Sequence, residues 1–148
     1  MAQADGIQAQ LNYEIAIYRE QIAMIKRETE RVSLTTMDLT NALKTIENIG
    51  EENALIPIGG GALIKGKVAS TDILVPIGAE YLLVMDKEHA GEEIKKRIEA
   101  TRKAIERLTE EFNKIAKKLQ EVSAQMQQVQ TQNMINRRVD GNIREDYI

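Results

Sequence analysis

The sequence predicts a mostly α-helical chain carrying a small β block: an antiparallel two-helix coiled coil whose helices are joined by two tandem β-hairpins. Three observations lead there. A heptad run occupies each end of the chain, a glycine- and proline-bearing repeat separates the runs, and only 3% of the residues are aromatic while 29% are charged. That balance suits long helices packed through narrow seams better than a broad globular core.

The first helix is predicted over 7–49. Leu11, Ile15, Tyr18, Ile22, Ile25, Thr29, Val32, Thr36, Leu39, Leu43 and Ile46 alternate steps of four and three, which is the a/d seam of a coiled coil, and Gly50 follows as a stop. The second helix is predicted over 87–136, with its seam at Ile94, Ile98, Thr101, Ile105, Leu108, Phe112, Ile115, Leu119, Val122, Met126 and Val129. Asp86 stands where an N-cap would, although Gly91 weakens that start. Seams of equal length pair naturally with each other. Setting each seam threonine against a larger apolar residue places Ile46 opposite Ile98, Val32 opposite Phe112 and Ile15 opposite Val129; a slip of one heptad keeps the same periodicity.

Between the seams, residues 54–86 hold both prolines of the chain. Leu55-Ile56-Pro57-Ile58-Gly59 recurs as Leu74-Val75-Pro76-Ile77-Gly78, and each copy leads into a further apolar run, Ala62-Leu63-Ile64 and Tyr81-Leu82-Leu83-Val84. Strand, glycine turn, strand is the pattern of a hairpin, so two hairpins follow in tandem, linked by Ser70-Thr71-Asp72. Isolated hairpins are marginal in water, and these would expose backbone edges and apolar faces together. They are therefore expected to complete an intersubunit sheet or β-barrel, with Leu55, Ile56, Ile58, Leu63, Ile64, Leu74, Val75, Ile77, Leu82 and Val84 as the oligomerisation residues. The prolines each delete a ladder donor, which suits strand edges.

Past Val129 the seam turns polar at Asn133 and Asn136, and residues 137–148 are expected to form a flexible tail. The whole chain, 1–148, reads as one such unit. A formal charge of −3 with a pI near 5.3 leaves no basic footprint for nucleic acid or an anionic membrane. No cysteine is present and no apolar run reaches membrane-spanning length, so a cytoplasmic location is expected. Gly59-Gly60-Gly61 lacks the spacing of a phosphate loop, His89 is the single histidine, and no nucleophile has a base beside it in the pattern. No cofactor, metal site or enzymatic activity is expected.

Helix, two hairpins, helix, with LIPIGGGALIKGKV from Leu55 to Val68, resembles the α-class subunit of prefoldin, especially the archaeal type. The second hairpin matters because β-class subunits of that family have one. It departs from the pattern at Pro76 and Glu80. The resemblance implies a hexamer of two α-class and four β-class subunits, a β-barrel platform bearing coiled-coil tentacles, and delivery of non-native polypeptides to a group II chaperonin. An ATP-independent holdase of that kind would grip clients with apolar side chains at the coil tips, for which Ile7, Leu11, Ile17, Met24, Met126, Met134 and Ile135 are the candidates. Leu11 and Met126 also fit simple seam filling. A structural coiled-coil scaffold or adaptor without client-holding activity is the alternative reading.

Overall fold

The computed structural model describes the backbone of residues 2–50 and 53–145, with side chains for 6–50, 53–136, 138 and 139. Its elements are α1 (Ala2–Asn48), β1 (Asn53–Gly59), β2 (Ala62–Lys67), β3 (Ile73–Gly78), β4 (Tyr81–Met85) and α2 (Lys87–Glu145). α2 continues through 137–145, where the sequence reading placed a flexible tail. That stretch has no proline, and its one glycine, Gly141, costs about 1 kcal/mol, too little to end a helix already propagating from long preceding turns. Residues 146–148, including Ile148, lie outside the described ones.

The chain divides into two compact units, one made of Met1–Glu30 with Glu106–Ile148, the other of Arg31–Ile105. In the first, the seam residues Leu11, Val122 and Met126 form a buried cluster flanked by Ile15, Tyr18 and Val129. Gln8 lines a cavity with Gln130, Asn133 and Met134, and the Lys26 ammonium stands 5.8 Å from the centre of the Phe112 ring. Position numbers rise on one helix as they fall on the other, so the helices are antiparallel.

In the second unit, Ile46, Val75, Ala90, Ile94 and Ile98 make the core, with Leu39, Leu43, Ile73 and Met85 packed against it. The side chains of Leu43 and Ile46 approach to 3.9 Å from where a Cβ on Gly91 would stand. Ile46 therefore sits level with Gly91 instead of Ile98, and in the other unit Phe112 sits beside Lys26 instead of Val32. Each unit thus adopts the register slipped by about one heptad from the volume-matched one.

The volume argument failed because the seam threonines do not behave as small polar residues in need of a bulky cover. Thr29 and Thr36 donate their hydroxyls to the carbonyls of Ile25 and Val32 at 2.8 and 2.9 Å, and Thr101 donates to Ile98 at 2.8 Å. With the hydroxyl satisfied on its own helix, each threonine presents a methyl group to the seam.

Both helices of the second unit end in identifiable caps. Asp86 accepts a hydrogen bond on its carboxylate from the His89 N–H at 2.8 Å, and its carbonyl accepts from Ala90 N–H at 3.0 Å, so it is the N-cap of α2 despite Gly91. α1 has no basic residue in its last turn, but Lys87 reaches across to donate to the Ile49 carbonyl at 3.0 Å, placing a cation at the negative end of the helix.

Candidate functional site

The two hairpins share one design. In β1–β2, Ile56 faces Ile64 and Pro57 faces Leu63, then the ladder shifts so that Gly59 faces Ala62, leaving Ile58 as an extra residue. In β3–β4, Val75 faces Leu83 and Pro76 faces Leu82, and Gly78 faces Tyr81 with Ile77 extra. Each hairpin closes through a two-residue turn with φ positive at both positions. Gly60 and Gly61 fill it in the first (φ 59° and 79°), but Ala79 and Glu80 adopt φ 48° and 65° in the second. That is the left-handed region, disfavoured for residues with a Cβ by roughly 1–2 kcal/mol each.

Side-chain exposure separates the hairpins. Leu55, Ile56, Ile58, Leu63 and Ile64 of the first are all exposed, as are Leu74, Ile77, Leu82 and Val84 of the second. Val75 is the exception among the predicted oligomerisation residues: it is 2% exposed and packs inside its own chain. Strand alternation explains this, since Ile73 and Val75 point to the same face, and that face meets Ile46, Ala90, Ile94 and Ile98. Ala90-Gly91 supplies the room, Ala90 being wholly buried. Arg97 then ties the hairpin down, donating from Nη2 to the Pro76 carbonyl at 2.7 Å and from Nε to Glu93 at 3.0 Å. Sequence reasoning missed Ile73, Ala90 and Arg97. The adjacent small pair Ala90-Gly91 on a helix otherwise rich in long side chains was the available signal for the first two.

The predicted client-contacting residues divide too. Leu11 and Met126, at 8% and 6% exposure, fill the seam of their unit and are not presented to solvent. Ile7 and Met134 are 52% and 61% exposed, and Met24 and Ile135 are also exposed, while Ile17 is half-buried. Because Gln8 and Met134 line one cavity, Ile7 and Met134 belong to the same end of that unit. Val139, exposed on the same stretch of α2, adds to them.

Among the described residues, the one titrating pair whose ionisation is displaced, Asp86 with His89, is structural. His89 Nδ1 lies 2.7 Å from Asp86 Oδ2 on the surface. The hydrogen bond from the His89 backbone, then that from its side chain, holds the Asp86 carboxyl below the usual carboxylate range, and the Asp86 side chain raises the His89 imidazole above its ordinary value. Among the described residues no three His, Asp or Glu side chains gather as a metal site would require, and no helix is long and apolar enough to cross a membrane.

Helix, tandem hairpins and helix therefore stand in one chain, with apolar hairpin faces left open. A protein-family model described as Prefoldin subunit matches residues 18–132. The chain belongs to the prefoldin family. It is 35% identical to prefoldin subunit alpha of Methanobrevibacter smithii over 92 residues, covering 60% of this chain and 63% of that protein. It is 30% identical to prefoldin subunit alpha 1 of Methanocaldococcus jannaschii over 86 residues, 57% and 61% of the two chains. The aligned stretch thus spans less than two thirds of these relatives. Among solved structures, a filamentous PFD from Methanocaldococcus jannaschii superposes with a TM-score of 0.64 at 23% identity, covering 77% of this chain and 98% of that one. The prefoldin beta subunit from Thermococcus strain KS-1 gives 0.56 at 20%, covering 86% and 92%. These likenesses show a prefoldin fold, and the relatives place the chain with the α-class subunits, in keeping with its second hairpin.

Proposed function

We propose that this prefoldin α-class chain is a holdase subunit: it assembles through its hairpins with β-class subunits, grips non-native polypeptides at the coil end bearing Ile7, Met134 and Ile135, and passes them to a group II chaperonin without using ATP. The work needs no catalytic group and takes place in the cytoplasm. A hexamer of two such chains with four β-class subunits is the assembly that the family likeness favours.

The observation that carries this reading is the placement of exposed apolar side chains. In one unit they sit on hairpins that a soluble chain cannot leave bare without a partner. In the other, Ile7, Met134 and Ile135 stand outside a seam already filled by Leu11, Val122 and Met126, so no internal packing accounts for them. Burying one such side chain contributes about 1.5–3 kcal/mol, and ordering the client offsets much of it. One tip binds weakly, and several acting on one polypeptide hold it through effective concentration.

The test is suppression of aggregation of a chemically unfolded client, read by light scattering. Wild-type assembly should delay aggregation at stoichiometric amounts. The combined Ile7→Ser, Met134→Ser and Ile135→Ser variant should lose most of that delay with unchanged oligomer mass. Equal protection by wild type and variant would remove this end from the mechanism, and no protection by either would leave a structural scaffold.

A further inference from the structure

We propose that an apolar groove between α1 and β3 is a second client-holding site: it takes a short extended apolar segment of a non-native polypeptide, whose flanking lysine or arginine meets Asp38. This rests on the holdase reading above and adds a site and a charge preference to it.

The groove lies within the unit Arg31–Ile105 and has a volume of about 520 Å³. Leu39, Ile46 and Ile94 form its deep part, β3 from Ile73 to Pro76 one wall, and Thr35, Ala42 and Thr45 the other wall on α1. Small side chains on the α1 wall leave the space open. That wall is also apolar in effect, because the Thr35 hydroxyl donates to the Arg31 carbonyl at 3.1 Å and the Thr45 hydroxyl to the Asn41 carbonyl at 3.0 Å. When empty, the groove strands no hydroxyl, and Ile46 and Ile94 are already buried within their own chain. Such a surface suits an occupant that comes and goes, unlike the bare hairpin faces.

Charge and length select the occupant. The two charged residues lining the groove are Arg97 and Asp38. Arg97 is satisfied where it stands, by the Pro76 carbonyl and by Glu93. Asp38 is exposed and has no hydrogen bond or ion pair among the described residues, so it attracts a cation to an otherwise apolar surface and repels an anion. From Thr35 to Ile46 α1 rises about 17 Å, the span of about five residues of extended chain. A helix of that length, about 10–12 Å across, displaces more than twice the groove's volume. Leu34 and Met37, each 55% exposed and off the seam, flank Thr35 and Asp38 and carry apolar surface onward from that end. Segments of about five to seven apolar residues are the ones that drive aggregation of an unfolded chain, and natural sequences flank them with charged residues. A cationic flank of that kind is the complement of Asp38.

The probes are two end-capped leucine–alanine peptides carrying a benzophenone, one led by lysine and one by glutamate, photo-crosslinked to the chain assembled with a β-class prefoldin subunit. Mass spectrometry maps the crosslinks. Those from the lysine peptide should fall on residues 34–49 and 73–76, at about three times the yield of the glutamate peptide or more. Asp38→Lys should reverse that ranking. Thr45→Phe, which fills the groove, should lower both yields at least about fivefold, with oligomer mass and crosslinks at the end bearing Ile7 and Met134 unchanged. Should circular dichroism show Asp38→Lys unfolded, Asp38→Asn decides by bringing the two yields level. Crosslinks confined to the Ile7 and Met134 end, or a lysine preference that survives the loss of Asp38, overturn the groove and leave the holdase reading standing. Absence of crosslinks anywhere on the chain, together with no delay of client aggregation by the wild-type assembly, would sink the holdase reading itself.

Discussion

The hairpins β1–β2 and β3–β4 derive from nearly the same five residues, share their ladder shift and proline position, and differ most in their attachment: the second is fastened to the helices and the first is not. Val75, Ile73 and Met85 pack into the base of the coil, and Arg97 holds the Pro76 carbonyl. No large apolar side chain of β1 or β2 is buried. The fastened hairpin contributes to the fold of its own chain, and the loose one offers nearly all its apolar surface to something else. Similar strand sequences acquire different roles from what lies opposite them.

The sharpest way to break the contrast is a charge on each hairpin. Val75→Asp should destabilise the isolated chain by about 3 kcal/mol or more, because an unpaired carboxylate replaces a buried methyl pair. Leu63→Asp should change its stability by no more than about 0.5 kcal/mol while abolishing assembly. Thermal melting of the single chain beside native mass spectrometry with a β-class subunit gives both readouts. Next in size, Arg97→Met should lower stability by about 1–2 kcal/mol, seen as a reduced urea midpoint with unchanged slope, and Arg97→Lys should recover only part of it because a single ammonium cannot serve Pro76 and Glu93 with a planar fork.

A smaller effect sharpens the comparison at the turns. Glu80→Gly should raise stability by about 1 kcal/mol by relieving a Cβ held at φ 65°, and Gly60→Ala should do the opposite in the first hairpin. Smallest is the cap behind β4. The His89 imidazole should titrate above 6.5 by NMR, and Asp86→Asn should bring it back toward that value. The sign follows from linkage: the His89 contribution is fully present below its unfolded value near 6.5 and fades as pH rises through the raised folded value. The Asp86 contribution is present above 3.8 and fades as pH falls through its lowered one.

Much of this architecture was legible in the residues. Period fixed the seams, every position of which is buried or half-buried in α1, and the LIPIG repeat announced two hairpins with their turns. Register was harder, because heptads specify which face is apolar and not which turn meets which. Hydroxyls bonded along their own helix made Thr36 and Thr101 weaker guides to side-chain volume than they look on paper. Alternation likewise tied Val75 to Ile73 without telling which face of the hairpin meets a helix. The exposed end of the coil was readable from the seam, since Ile7, Met134 and Ile135 lie off it while Leu11 and Met126 lie on it, and packing buries the latter pair.

The extra isoleucine in each hairpin bears on shape at a larger scale. A residue inserted on one strand bends it and deepens its right-handed twist. Ile58 and Ile77 are inserted at matching heights, so every hairpin added to a common sheet would coil in the same sense. Curvature that accumulates strand by strand brings the first and last members around to meet, and a ring that closes after a fixed number of members has no open end left to grow from.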